Sequence, residues 1–266
     1  MGSQVSGVNS ADHLRRLRVE MADAHAGDAE FRQLTSEWMA ASCPRQYSYR
    51  FDWLGRPVIQ YPQDVVALQE ILWEVRPEAV VECGIAYGGS LVLTASILAL
   101  IDYCDAAESG DLGRLADRPS RVVGVDIDIR DHNRVALDNH PLRHKIRLVE
   151  GSSTEPDVVA QVHAEVDGRS PVLVLLDSDH TATHVRGELA AYAHLTTVGS
   201  YCVVYDTVIE HLPADLHDDR PWGPGNSPAT AVAEFVEENP HFEVDRRMDE
   251  KLAITVAPGG YLRRVS

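Results

Sequence analysis

Five short apolar runs alternate with helical periods between residues 79 and 204, and this alternation constrains the fold more than any other feature of the chain. The runs lie at Ala79–Val81, Val122–Val125, Ile146–Val149, Val172–Leu176 and Tyr201–Val204. The helical periods lie at Ser90–Tyr103, His132–Asn139, Pro156–Val166 and Thr181–Leu195. Apolar strands separated by helices are typical of a parallel sheet covered on both faces. We therefore expect an α/β fold.

The pattern changes near the C-terminus. A helix is predicted at Ala229–Glu238, and two short strands follow at Phe242–Arg246 and Leu252–Val256. The short connection between these strands predicts a hairpin, in which the strands are antiparallel. The complete sheet is therefore predicted to have seven strands, mostly parallel, with an antiparallel C-terminal hairpin.

The residues before the alternating region predict a helical and loop appendage over 1–61, followed by the main domain over 62–266. Residues 1–9 are polar and rich in glycine and serine, which predicts a disordered leader or a segment added for expression. Residues 104–120 predict either an ordered insertion loop or a disordered segment. Helices are predicted at Ser10–His25, Ala29–Ala41 and Pro62–Val75, the first capped by its serine.

The charge of the chain limits its partners. Asp and Glu number 41 against 24 Lys and Arg, for a net charge of −17. Such a surface repels phosphate backbones and anionic membranes, so we expect neither nucleic acid nor membrane as a partner. The longest uncharged apolar run, Leu91–Ile101, is too short to span a bilayer. The four cysteines form no CxxC pair, which indicates free thiols and a cytoplasmic protein.

A glycine-rich turn follows the first of the five strands, with the pattern Glu82-x-Gly84-x-x-x-Gly88-Gly89-Ser90. Glycines allow the backbone to approach a ligand, and the following helix presents free N–H groups. A dinucleotide site has Gly-x-Gly-x-x-Gly and binds a pyrophosphate. An acid at the strand end instead suits the ammonium of S-adenosylmethionine (SAM). We therefore predict that these five residues bind SAM, with a purely structural turn as the alternative.

The ends of the second and third strands add two candidate contacts to this nucleoside. Asp126 ends the second strand, where an acid can accept both ribose hydroxyls. It is preferred to Asp128, which suits a helix cap better, as does Asp131. Ser153 follows the third strand, where the adenine amino group could be read. Together with the strand plan, these positions predict a Rossmann-like class I SAM-dependent methyltransferase.

Acidic residues follow the fourth and fifth strands, which are neighbours in this topology. Asp177 and Asp179 follow the fourth strand and Asp206 the fifth, so their carboxylates should face one crevice. Such a cluster is typical of a Mg²⁺ or Ca²⁺ site, with Asp179 equally suited to cap a helix. His180 lies beside them and is predicted to be the general base. Further histidines that could contact the acceptor are His211 and His217.

Six segments resemble the cephalosporin hydroxylase family, which includes rhamnosyl and macrolide sugar O-methyltransferases of antibiotic pathways. They are Trp53–Gln60, Glu82–Ser90, Leu176–Thr181, Arg220–Asn226, Lys251–Val256 and Gly260–Arg263. The resemblance covers about residue 50 to the end of the chain. It implies methyl transfer from SAM to the hydroxyl of a rhamnose-like deoxysugar in natural-product biosynthesis, assisted by a divalent metal. The sugar could be a nucleotide sugar or part of a glycosylated product.

The resemblance also assigns roles to single residues. The metal-binding Asp of the family falls on Asp177 and its catalytic His on His180. A Glu-Asp pair of the family falls on Tyr205 and Asp206, and an Ala-His-Gly-Gly motif has tyrosine at Tyr87. A tyrosine is a poorer metal ligand than glutamate, so a non-catalytic SAM-binding accessory protein remains an alternative. A hydroxylase of an antibiotic nucleus is a second alternative, which would require bound iron. The additional N-terminal helices lead us to expect a homo-oligomer.

Overall fold

The computed structural model describes residues 10–117 and 120–266, so the predicted leader lies outside the described residues. The strands are β1 Phe51–Trp53, β2 Arg56–Val58, β3 Ala79–Cys83, β4 Arg121–Asp126, β5 Ile146–Glu150, β6 Val172–Leu176, β7 Tyr201–Val204, β8 Phe242–Val244 and β9 Tyr261–Arg264. The helices are α1 Ser10–Gly27, α2 Ala29–Ser42, α3 Pro62–Val75, α4 Gly89–Ser109, α5 Asp131–Asp138, α6 Pro156–Val166, α7 Ala182–Tyr192, α8 Pro228–Glu238 and α9 Arg246–Leu252.

Strands β3 to β9 form one seven-stranded sheet in the order β5-β4-β3-β6-β7-β9-β8. Neighbouring strands from β5 to β7 are parallel, and β9 is antiparallel to both β7 and β8. The predicted fold, a mostly parallel Rossmann-like sheet with an antiparallel C-terminal pair, is confirmed. The carboxyl ends of β3, β6 and β7 therefore meet at one edge of the sheet.

Helices cover both faces of the sheet, as the continuous apolar strands require. Successive residues of a strand point to opposite faces. Val80 of β3 therefore joins the cluster that contains Leu91 of α4, whereas Val81 joins the cluster that contains Val162 of α6 and Leu189 of α7. All five residues of β3 are buried. This double coverage fixes the sheet edge on which the site is built.

The C-terminal hairpin was predicted in the wrong place. Residues 246–252 form helix α9 instead of a turn, and the last strand is Tyr261–Arg264 instead of Leu252–Val256. The reason is the buried carboxylate of Asp64, which accepts hydrogen bonds from Thr255 Oγ1 and from Val256 N at 3.1 Å. These bonds hold the segment against the start of α3 and away from the sheet.

The segment 104–120 was also predicted only in part. Helix α4 continues to Ser109, where Gly110 ends it in a left-handed conformation with φ of 73°. A 3-10 turn over Leu112–Asp117 then leads toward β4. The described residues of this stretch form regular structure. The sequence did not predict the helical part because polar residues interrupt the apolar periodicity there.

Residues 10–60 pack on the main domain. Helix α1 lies against α9, and the β1–β2 hairpin lies against α4. Trp53 Nε1 donates to Ser96 Oγ of α4 at 3.0 Å. These contacts bring the loop between α2 and α3 to the carboxyl edge of the sheet. The domain boundary at residue 61 stays a prediction.

Helix α4 is long and apolar enough to cross a membrane by length and composition alone. Its mean hydropathy of 1.5 follows from its place in the core, since 61% of the most apolar window is buried inside the protein. A core helix of a soluble protein meets the same criteria, so this is weak evidence for a membrane. The expectation that no membrane is a partner stays a prediction.

Candidate active site

A cavity of about 560 Å³ opens at the carboxyl ends of β3, β6 and β7. Open α/β sheets bind ligands at this edge, because the loops that follow the strands diverge there. Five parts of the chain form most of its lining: the glycine turn after β3, the turn after β6, the turn after β7, the loop between α2 and α3, and residues 208–222. The predicted cofactor and acceptor elements therefore share one cavity.

The glycine turn is compressed between two backbone segments. Gly84 has φ of +86°, and a Cβ on it would lie 2.0 Å from Asp177 O. A Cβ on Gly89 would lie 2.1 Å from Pro57 O of the β1–β2 hairpin. At such distances the neighbouring backbone leaves no space for a Cβ, so both positions require glycine. The turn consequently presents the backbone of residues 84–87 to the cavity.

Three side chains form hydrogen bonds with the backbone of this turn. Asp126 Oδ2 accepts from Ile85 N at 3.0 Å and from Ala86 N at 3.2 Å. Asn133 Nδ2 donates to Ala86 O at 3.0 Å, and Arg56 Nε donates to Tyr87 O at 3.1 Å. Asp126 thus fixes the turn in this structure, and its predicted contact with a ribose stays a prediction. Arg56 and Asn133 were not singled out from the sequence.

Glu82 is buried directly below the turn, where it is 2% exposed. Its Oε2 accepts from Thr94 Oγ1 at 3.4 Å, whereas Oε1 has no hydrogen-bond partner among the described residues. Burial raises the pKa of Glu82 to about 7. An unpaired buried carboxylate oxygen is costly, and a cationic ligand would offset that cost. The charge of Glu82, which lies just outside the lining of the cavity, therefore fits the ammonium of a SAM molecule bound at the turn.

The turn after β5 is buried in a polar network instead of lining the cavity. Ser153 Oγ donates to Glu188 Oε1 at 2.5 Å and lies 3.0 Å from His184 Nε2. Ser178 Oγ donates to the same Glu188 oxygen at 2.6 Å. This network links the ends of β5 and β6. The predicted adenine contact of Ser153 stays a prediction.

The reaction centre lies where β6 and β7 end. Donor atoms of Asp177, His180 and Asp206 all lie within 4.8 Å of one another. His180 Nε2 is 3.2 Å from Asp206 Oδ2. Asp206 has φ of 56°, a left-handed conformation that asparagine and aspartate tolerate better than most residues. The predicted convergence of the two strand ends is therefore observed, while the roles of the three residues stay predictions.

The carboxylate of Asp177 is the most enclosed of the three. Burial and the nearby charge of Asp206 raise the pKa of Asp177 well above its ordinary value. Gln60 Nε2 donates to Asp177 Oδ2 at 3.3 Å, while Gln60 Oε1 has no partner among the described residues. Gln60 lies in a segment of the family resemblance, yet nothing in its sequence pattern indicated this contact.

Two residues near the group do not join it. Tyr205 is buried in the core, and burial raises the pKa of its phenol, so it is neutral there. Asp179 Oδ1 accepts from Thr181 N at 2.8 Å and Thr181 Oγ1 at 2.6 Å. Burial alone would raise the pKa of Asp179, but these hydrogen bonds outweigh it and lower that pKa. A metal-ligand role for Asp179 stays a prediction.

The segment after Asp206 forms the outer wall of the cavity. Trp222 meets the His180 ring edge-on, with centroids 4.9 Å apart, and the Arg220 guanidinium lies 5.4 Å from the Trp222 ring centroid. His217 lines the cavity, whereas His211 lies on the opposite side of this segment. Trp222 was noted in the sequence only within the resemblance, because no local pattern shows which side a loop residue faces.

The donor set of this centre also fits a divalent cation. Mg²⁺ prefers oxygen ligands and usually keeps several waters. The carboxylates of Asp177 and Asp206 can supply two such oxygens, leaving positions for water and an acceptor hydroxyl. A bound cation would offset the repulsion between the two carboxylates.

This fold and this site define a class I SAM-dependent O-methyltransferase. A family model described as rhamnosyl O-methyltransferase/CmcI matches residues 45–265. The chain therefore belongs to the rhamnosyl O-methyltransferase/CmcI family.

Individual relatives agree with this assignment. A rhamnosyl O-methyltransferase of Mycobacterium tuberculosis is 32% identical over 206 residues, which span 76% of this chain and 73% of that protein. Its counterpart from Mycobacterium leprae is 29% identical over 216 residues, 80% of this chain and 82% of that protein. A solved structure of CmcI with Mg and SAM has a TM-score of 0.50 and 19% identity, covering 82% of this chain and 78% of that one. That structural likeness supports the fold.

Proposed function

We propose that this chain methylates a hydroxyl of a rhamnose-like sugar in a glycosylated natural product, using SAM as methyl donor and a divalent cation as an aid. One observation carries the proposal. The cluster of Asp177, His180 and Asp206 lies in the same cavity as the glycine turn that begins with Gly84. A sulfonium methyl group and an acceptor oxygen can therefore meet in one place.

The chemistry is displacement of the methyl group from sulfur to oxygen. The C–S bond breaks as the C–O bond forms, S-adenosylhomocysteine leaves, and the acceptor proton passes to a base. SAM supplies the activated methyl group when bound. The protein mainly has to align oxygen, carbon and sulfur, which can lower the barrier by roughly 7–11 kcal/mol. The rigid turn braced by Asp126 and Arg56 supports that alignment.

His180 is the proposed general base. A neutral imidazole that donates Nε2–H to Asp206 Oδ2, 3.2 Å away, keeps Nδ1 as its proton acceptor. Asp206 would then orient the ring and stabilise the imidazolium, as the carboxylate of a catalytic triad does. The edge-on contact with Trp222 limits rotation of the same ring.

Asp177 and Asp206 are the proposed holders of the cation. A divalent cation there would lower the pKa of a bound hydroxyl and fix its position. Tyr205 takes no part, because its phenol is neutral and lies in the core. With two protein carboxylates, this chain should hold the cation weakly and depend on the acceptor diol to complete the coordination.

The cavity favours a neutral glycoside over a nucleotide sugar. Among the described residues that line it, Arg220 is the only lysine or arginine, while Asp177 and Asp206 are both acidic. A diphosphate carries two or more negative charges and would meet more repulsion than attraction. Trp222 offers a flat apolar face of the kind on which a sugar ring can stack.

We also propose that the protein is a cytoplasmic homo-oligomer. The N-terminal helices expose several large apolar side chains that a second copy could cover, namely Leu14 at 53%, Met21 at 60% and Leu34 at 57% exposure. Multi-angle light scattering of the purified chain tests the oligomeric state directly, and a monomer at all concentrations would contradict the proposed homo-oligomer.

The function is tested by incubation with methyl-labelled SAM and a panel of rhamnosides and dTDP-rhamnose, with and without EDTA. We expect label on a rhamnoside, little on dTDP-rhamnose, and loss of the signal with EDTA that Mg²⁺ restores. Calorimetry with S-adenosylhomocysteine provides the independent control for cofactor binding. Absence of binding would refute the assignment, and label on dTDP-rhamnose alone would refute the acceptor class.

A further inference from the structure

A second cavity of about 380 Å³ lies next to the first, between helix α2 and the segment 249–258. Val208 and Leu212 line both cavities, so these two side chains form part of the partition between them. Both residues follow Asp206 in the 3-10 turn over Thr207–His211 and just after it. The second cavity therefore lies next to residues that directly follow Asp206 of the reaction centre in the chain.

Most of the surface of the second cavity is apolar, although Arg32, His211 and two carboxylates also line it. Its described lining includes the apolar side chains of Phe31, Met39, Val208, Leu212, Ala253 and Pro258. The two carboxylates are those of Asp249 and Glu250, and the Asp249 carboxylate accepts a hydrogen bond from Gly259 N at 3.0 Å. A ligand made mainly of carbon would release water from these side chains, at about 25 cal/mol per Å² of apolar surface buried.

The cofactor and the sugar ring together would fill much of the first cavity. A volume of about 560 Å³ is within the range of a single drug-sized ligand, roughly 300–1,000 Å³. That space has to accommodate both a nucleoside amino acid and a sugar ring. The remainder of a glycoside must then leave the first cavity, and the second adjoins it across Val208 and Leu212.

We infer that the second cavity binds the apolar aglycone carried by the methylated sugar. This inference rests on the proposed function, since it assumes that the sugar occupies the first cavity. The glycoside would have to pass the side chains of Val208 and Leu212, which line both cavities. The helical face of α2 that carries Thr35 and Met39 then becomes a specificity element for the acceptor.

The test compares two acceptors with the same sugar, methyl α-L-rhamnoside and octyl α-L-rhamnoside below its micelle concentration. For the unmodified chain we expect kcat/KM to be roughly 30-fold higher for the octyl glycoside, through a lower KM. The variant Thr35→Trp, and separately Ser36→Trp at a more exposed position, should reduce this ratio to about threefold. The control Gln33→Trp lies on α2 outside the cavity and should keep the ratio.

The outcomes separate this inference from the proposed function. Equal kcat/KM for both glycosides, or a ratio that neither filling variant changes, overturns the aglycone site but leaves sugar methylation intact. Calorimetric titration with octyl rhamnoside provides a readout when turnover is absent. Tight octyl binding weakened by Thr35→Trp supports the site, and no preference over the methyl glycoside overturns it. Failure to bind S-adenosylhomocysteine would refute the proposed function instead.

Discussion

A Cβ placed on Gly84 would lie 2.0 Å from the carbonyl oxygen of Asp177. This contact joins the two halves of the site, because Gly84 begins the cofactor turn and Asp177 belongs to the reaction centre. The strands behind them are in register, with Cys83 beside Leu176 and Asp177 N donating to Cys83 O at 2.8 Å. If SAM and the acceptor bind as proposed, the backbone contact between Gly84 and Asp177 sets the distance between them.

The first prediction concerns this contact. Gly84→Ala should lower the free energy of unfolding by about 3 kcal/mol, since it combines a left-handed backbone with overpacking against a carbonyl. We also expect at least a roughly tenfold weaker affinity for S-adenosylhomocysteine, measured by calorimetry, because the turn must move. Gly113→Ala is the control, since nothing lies within 4 Å of a Cβ there. Equal stability of the two variants would contradict the packing argument.

The second prediction concerns the base. His180→Gln should reduce kcat on the order of 100- to 10,000-fold, because it removes the proton acceptor while keeping a polar side chain. Its affinity for S-adenosylhomocysteine should change by less than about twofold, as His180 belongs to the acceptor side. His241→Gln, on an exposed residue, is the matched control. An unchanged kcat for His180→Gln would exclude this residue as the base.

The third prediction separates Asp206 from its neighbour Tyr205 in metal binding. Asp206→Asn should weaken Mn²⁺ binding, followed by electron paramagnetic resonance, by about tenfold or more, since a charged oxygen donor is lost. Tyr205→Phe should leave the affinity within about twofold, because the phenol is neutral and buried. If both variants bound Mn²⁺ equally weakly, the phenol would have to belong to the coordination sphere.

The strand plan was predictable from the sequence because β3, β4, β6 and β7 are buried almost throughout and read as apolar runs, and the edge strand β5 still buries Ile146 and Val149. The convergence of Asp177 with Asp206 followed from the same plan, since neighbouring strand ends meet. The last strand was misplaced because Leu252–Val256 is also apolar, and its direction depends on the buried Asp64, nearly 200 positions away in the chain. A local pattern carries no information about such a partner.

The contacts made by loops were not predictable either. Gln60, Arg56 and Trp222 reach the site from segments without periodicity, so only the fold shows that they face it. Asp126 and Ser153 were chosen for their places after strands, yet they bond to the turn and to Glu188 in this structure. A position at a strand end predicts where a side chain lies better than it predicts the partner it binds.

The last prediction concerns Glu82 and pH. Burial raises the pKa of Glu82 to about 7 from its ordinary value near 4.5. Between these two values the folded state binds more protons than the unfolded state, so the free energy of unfolding should fall as pH rises through this window. The loss should approach about 3 kcal/mol above pH 7, at 1.36 kcal/mol per pKa unit. Below pH 4.5 the contribution vanishes because Glu82 is protonated in both states.

Glu82→Gln removes this penalty together with the charge that we propose for the SAM ammonium. In chemical denaturation the variant should therefore match the unmodified chain near pH 4.5 and exceed its stability by about 3 kcal/mol at pH 8. Its affinity for SAM at pH 8 should be lower by about tenfold or more, whereas Glu237→Gln, on the exposed face of α8, should change neither quantity.

A gain in stability without a loss of SAM affinity would mean that Glu82 carries a buried charge for some reason other than the cofactor. A loss of both stability and SAM affinity in Glu82→Gln would mean that the carboxyl group is protonated in the folded protein and stabilises the fold.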